Sequence, residues 1–278
     1  EWVKEIITKV FPKYTNEKEL WFFVSAWDSY IFHNRYIKDL HDLLFPYYIS
    51  AIDHLSLGFV TRRDLINNFA VHLVLEYLSE EYEPDFMKNI QVPITRYFMK
   101  TKPEEWATGA WACWKIIQDN PDKLNEWWPK VRKLWEWRVQ EAITSNHSSD
   151  FDQEMRRFVH LLEFIPEDES IITLQPLLEG MLPHIVNIKY RDRGWDELEK
   201  FLSLQVDKYP LECVQLYYFM REQREEHFIW HRENDEAIKL IEIGAENLES
   251  REETLSLIDF LGSKNNHAFR YIYDRYIQ

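Results

Sequence analysis

Two histidines four residues apart, His227 and His231, share one face of any helix that contains them, and Glu226, Glu233 and Asp235 stand close in sequence. Imidazole and carboxylate donors in that pattern suit zinc or manganese. The surrounding run, Met220 to Ala237, is dense in both charge signs, as a solvated helix end is. The solvated reading is preferred, metal binding stays open as the alternative, and no metal ligand is assigned. Cys113, between Trp111 and Trp114, and Cys213 sit in apolar patterns that raise a thiol's pKa and make it inert. Free buried thiols are the favoured state, with a disulfide between them left open. Carboxylate pairs such as Glu104 with Glu105 and Glu225 with Glu226 are adjacent, so on a helix they point apart and form no acid/base dyad. No G-x-G-x-x-G, phosphate loop, H-E-x-x-H, C-x-x-C or G-x-S-x-G occurs in the sequence. No catalytic residue and no cofactor is therefore assigned.

Binding chemistry is better represented. Glu126 to Arg138 carries Trp127, Trp128, Lys130, Arg132, Lys133, Trp135, Trp137 and Arg138. Trp128 and Trp135 share a helix face, whereas Trp127 and Trp137 lie elsewhere, so a second surface must cover them. Either the helix is buried on two sides within the chain, or Trp127, Arg132, Trp137 and Arg138 form part of a partner-binding patch. Lys189, Tyr190, Arg191 and Arg193 make a second candidate, a positive spot in an acidic chain, with a solvated loop as its plain alternative.

These residues are positioned by helices. Apolar residues recur at helical spacing almost from end to end, and six Gly and 11 Pro punctuate 278 residues. Expected helices begin at Trp2–Val10. A second is capped at Asn16 with Glu19 in the box position and buries Phe23, Val24 and Trp27. A third runs from Tyr36 to Leu55 and contains Pro46, with a kink or break expected near Phe45; it stops at Gly58 and is followed by a helix from Thr61 to Leu78. Glu83-Pro84 opens a weaker stretch that includes Pro93. Pro103 starts a strong helix that turns at Asn120-Pro121 and resumes to Ala142, with Pro129 marking a kink or a new first turn. Later segments are Asp150 to Phe164, Ile171 to Val186 broken at Pro176 and Pro183, Gly194 to Val206, Leu211 to Arg221, Ala237 to Leu248, Leu255 to Gly262, and Phe269 to Tyr276.

Short antiparallel helices, each burying one face, are the mark of an α-solenoid. The expectation is an all-α fold, an irregular solenoid of HEAT-like helix pairs, with an irregular helical bundle as the competitor. The polar run Asn146 to Ser149 suggests a seam between an N-terminal helical subdomain, 1–146, and C-terminal repeats, 147–278. The formal charge of −15 argues against broad binding to nucleic acid or anionic membranes, which need a positive field. About half of that excess lies in Leu211 to Phe260, where five basic and 13 acidic residues give 5 − 13 = −8. No window is apolar enough to span a bilayer, and the expected compartment is the cytoplasm. The chain opens at Glu1, inside a helical pattern, and reads as a fragment of a longer protein.

Two places carry a resemblance. One is the opening, Glu1-Trp2-Val3-Lys4-Glu5 through Asn16 to Trp27 and on to Tyr36–Leu55. The other is the closing succession of Gly194-Trp195-Asp196-Glu197-Leu198, Ala237 to Leu248, Ile258-Asp259-Phe260-Leu261-Gly262, and Phe269 to Tyr276. Together they resemble the C-terminal helical region of large bacterial antiphage defence proteins, of the STAND NTPase or sirtuin-like effector type. The resemblance covers about half the chain and carries over no site residue. It implies a non-catalytic sensor or regulatory region whose partners are a protein, such as a phage product, and an N-terminal effector domain. The alternatives are a general helical scaffold or adaptor and an enzyme with an unrecognised site.

Overall fold

A computed structural model describes residues 2–11, 20–55, 63–82, 85–166, 168–186, 193–223 and 235–277. Among them every regular element is a helix, so the chain is all-α. It divides into two compact units, Glu1–Trp137 and Arg138–Gln278.

The first unit holds α1 (Trp2–Val10), α2 (Leu20–His33), α3 (His41–Leu55), α4 (Arg63–Ser79), α5 (Pro93–Lys100), α6 (Pro103–Asp119) and the first part of α7 (Leu124–Thr144). Packing runs to the next helix but one: α1 on α3, α2 on α4, α3 on α5 and α4 on α6. The α1–α4 core is aromatic. Trp27 meets Tyr48 edge-on at 5.0 Å and Phe69 at 6.0 Å. The expected helix face Phe23, Val24 and Trp27 is buried. Gly109 lets α6 approach α5 closely, since a Cβ there would stand 2.7 Å from Phe98 Cζ.

In the second unit a one-turn 3₁₀ helix, Ser148–Phe151, leads into α8 (Asp152–Phe158), which continues as the 3₁₀ helix Val159–Phe164. Then come α9 (Ile171–Val186), α10 (Arg193–Gln205), α11 (Pro210–Glu222), α12 (Asp235–Glu246), α13 (Arg251–Ser263) and α14 (Arg270–Ile277). From α9 onward each helix packs on the next, and the same step-of-two relation recurs: α9 on α11, α10 on α12, α11 on α13 and α12 on α14.

The structure departs from the expected breaks at Pro176 and Pro183, and of the alternatives expected at Pro46 and Pro129 it excludes a break or a new start. Pro46, Pro129, Pro176 and Pro183 lie inside α3, α7 and α9, which run through them. A proline frees the carbonyl four residues earlier and crowds it. All four prolines are on exposed positions, where water can meet a freed group, so a helix can curve past the site without ending. The stretch after Glu83-Pro84 contains a helix that apolar spacing does not announce, α5, with Pro93 in its first turn.

The division between the two compact units falls inside α7, between Trp137 and Arg138. The end of α7 is tied to the second unit by polar and apolar contacts alike. Arg138 pairs with Glu154, and a Cβ at Gly180 of α9 would stand 2.6 Å from Val139 Cγ1. The expected caps and stops at Asn16, Glu19, Gly58, Thr61 and Glu83-Pro84 lie outside the described residues.

Candidate functional site

A cleft of about 590 Å³ opens in the first unit between the end of α2 with its following turn, the middle of α4 and the end of α6. Its apolar floor includes Ile31, Val71, Leu75 and Ile116. Polar groups come from the turn (Asn34, Arg35, Tyr36), from α4 (Asn68, His72) and from α6 and its C-cap (Lys115, Asp119, Asn120). The spacing explains the convergence on α4, because Asn68, Val71, His72 and Leu75 follow the i, i+3, i+4, i+7 pattern of one helix face.

Several of these groups are already engaged. His72 accepts the Tyr48 hydroxyl at Nδ1, 3.0 Å, and donates from Nε2 to the Asn34 carbonyl oxygen, 2.9 Å. Burial lowers its pKa from 6.5, opposed by that backbone bond. Lys115 pairs with Asp119 at 2.6 Å. Asn34 and Asn120 each donate Nδ2 to a carbonyl one turn back, Tyr30 and Ile116 respectively. Their amide oxygens, the Asn68 carboxamide and the Arg35 guanidinium have no partner among the described residues.

Beside the cleft lies a part-buried polar cluster that shares Tyr36 with it. Tyr36 donates to Glu80 Oε1 at 2.9 Å and stands 3.3 Å from His41 Nδ1. His41 Nδ1 is in turn 3.6 Å from Glu76 Oε1. Glu76 is 0% exposed. It accepts a hydrogen bond from Tyr82, and its second oxygen, Oε2, has no partner. Burial, only partly offset by the Tyr82 bond, pushes the carboxyl up to about 8. The Tyr82 hydroxyl is raised too, by its own burial and by Glu76.

The second unit buries two ion pairs. Arg138, 3% exposed, grips Glu154 with Nε at 2.7 Å and Nη2 at 2.8 Å. Its guanidinium also lies over the Phe151 ring, 4.9 Å from the centroid. Burial raises the Glu154 pKa against the pull of Arg138. Arg221 donates to Glu199 Oε1 at 3.2 Å and to the Tyr217 hydroxyl, over the rings of Trp195 and Tyr217.

The tryptophan helix is buried on several sides. Trp127, Trp128, Trp135 and Trp137 are all in the core, with Trp137 edge-on to Phe98 at 5.9 Å. Of the expected partner-binding residues on α7, Arg132 alone is part-exposed, and its Nε pairs with Glu136 at 2.7 Å. Lys130 donates to the carbonyl oxygens of Leu78 and Glu80 at the end of α4, a cation at a helix C-terminus. Lys189, Tyr190 and Arg191 lie outside the described residues, as does the side chain of Arg193. So do Glu226, His227, His231 and Glu233 of the metal candidate. Neither cysteine is in a disulfide, both are buried, and burial pushes Cys213 up to about 12.

Sequence reading missed the cleft. Nothing local in the sequence joins 31–36, 68–75 and 115–120.

Compared with known proteins, the chain matches no protein-family model, no curated protein and no solved structure.

Proposed function

We propose that the chain is a non-catalytic helical-repeat module for protein recognition, built as a HEAT-like α-solenoid. The observation that carries this reading is the step-of-two packing in both units. Stacked helix pairs place every second helix in one layer, and such layers offer long surfaces to partners. The resemblance to helical regions of bacterial antiphage defence proteins makes the reading concrete: a cytoplasmic sensor region that recognises a phage protein and controls an effector domain. Buried cysteines outside any disulfide are in keeping with a reducing compartment. No helix among the described residues is long and apolar enough to cross a membrane.

The rival reading, an acid–base enzyme, draws on Glu76 and His72, a perturbed carboxyl and an imidazole near a cleft. Geometry weighs against using them so. Both ring nitrogens of His72 are occupied, and Glu76 has no exposed surface. Selection of a random-peptide display library on the full chain tests the proposal. Enrichment of a sequence pattern that binds saturably as free peptide is expected. No enrichment over the bare support would overturn the recognition reading.

A further inference from the structure

We infer that the cleft of the first unit is a docking site for an extended acidic peptide segment of a partner protein, a proposal that rests on the recognition reading and names its ligand. The groups left over in the cleft define the chemistry. Asn34 and Asn120 each spend one of their two amide N–H groups on a carbonyl one turn back, and their amide oxygens remain open. Each therefore offers a carbonyl-type acceptor. Asn68 offers both a donor and an acceptor. An extended backbone presents N–H and C=O groups in alternation and matches that mixed set.

Arg35 supplies a cation with no ion-pair partner among the described residues, whereas Lys115 is held by Asp119. The charged residues lining the cleft are Arg35, Lys115 and Asp119, a net of +1 within a chain of −15. That local sign selects a carboxylate, and a guanidinium can take it bidentately. Phe32 at the rim is 54% exposed and, with the floor residues Ile31 and Val71, suits an apolar side chain next to the acidic one. A volume of about 590 Å³ lies within the range of ligand pockets. A nucleotide fits less well. Its phosphates would meet a single cation without an ion-pair partner among the described residues, beside the carboxylate of Asp119, where a phosphate needs several charged donors.

Fluorescence anisotropy on the full chain tests this with labelled hexapeptides of alternating Asp and Leu, and with the same peptides carrying Asn or Lys in place of Asp. The Asp peptide should bind saturably, and the Asn peptide should bind at least about tenfold more weakly, the scale of one charged hydrogen bond. Arg35→Glu, at an exposed position, should abolish the preference for Asp and reverse it toward the Lys peptide. Asn68→Leu should weaken all three peptides together, since it removes a backbone contact. Circular dichroism of both variants should match the parent. Equal binding of the Asp peptide to parent and Arg35→Glu would overturn the assignment. So would saturable binding of a fluorescent ATP analogue with no binding of any peptide, which would mark a nucleotide site. If display-selected peptides bind but ignore Arg35 and Asn68, the cleft assignment fails while the recognition reading survives.

Discussion

Glu76→Gln should make the first unit more stable, by an amount that grows with pH. The carboxyl is 0% exposed, and burial lifts it from an ordinary 4.5 to about 8. Between those values the unfolded chain has released this proton and the folded chain still holds it. Stability therefore falls as pH rises through the window, and the loss levels off above about 8. Each pH unit in the window costs about 1.4 kcal/mol. The 2.5 units from 4.5 to pH 7 thus amount to about 3 kcal/mol, and the full window to about 5 kcal/mol. Glutamine carries no such charge, and its amide oxygen can still accept from Tyr82. The variant's advantage should be about 1 kcal/mol at pH 5, about 3 at pH 7 and about 5 at pH 9. Neighbouring groups that titrate, among them His41, Glu80, Tyr36, Tyr82 and Lys130, are present in both proteins and largely cancel in the difference. Urea unfolding of parent and variant at the three pH values, followed by tryptophan fluorescence, measures the gap. Hydrogen exchange of α4 amides assigns the transition to the first unit. A gap independent of pH, or a variant less stable at pH 9, would refute the claim that Glu76 is buried with a raised pKa.

Arg138→Met should destabilise the second unit by about 3–5 kcal/mol, because it strands Glu154 as an unpaired buried acid; the double variant Arg138→Met, Glu154→Leu should recover most of that loss in urea melts. Gly109→Ala should cost about 1–3 kcal/mol by overpacking against Phe98, and adding Phe98→Leu should restore part of the melting temperature. Cys213 should resist iodoacetamide at pH 8 in the native chain and react once urea unfolds it, since burial lifts the thiol to about 12.

Helices were legible where a long apolar stripe repeats, as in Pro103–Asp119 and Arg193–Gln205. Proline misled because its cost depends on which face it occupies, and the exposed faces at Pro176 and Pro183 tolerate it. The spacing of Trp127, Trp128, Trp135 and Trp137 correctly demanded cover on more than one side of α7, and the chain buries all four. What covers them could not be read from spacing alone. The ion pairs Arg138–Glu154 and Arg221–Glu199 join residues on different helices, so no local pattern announces them. The cleft is the extreme case: its groups come from three separated segments, and each alone resembles ordinary polar surface.

Hydrogen exchange of the full chain, with and without a display-selected peptide at saturation, tests the central claim most directly. Recognition through the cleft predicts slowed exchange at 34–36, in the middle of α4 and at the end of α6. Peptides that bind with no protection at any of these three segments would contradict the docking site. A library that yields no binding peptide at all would contradict the account as a whole.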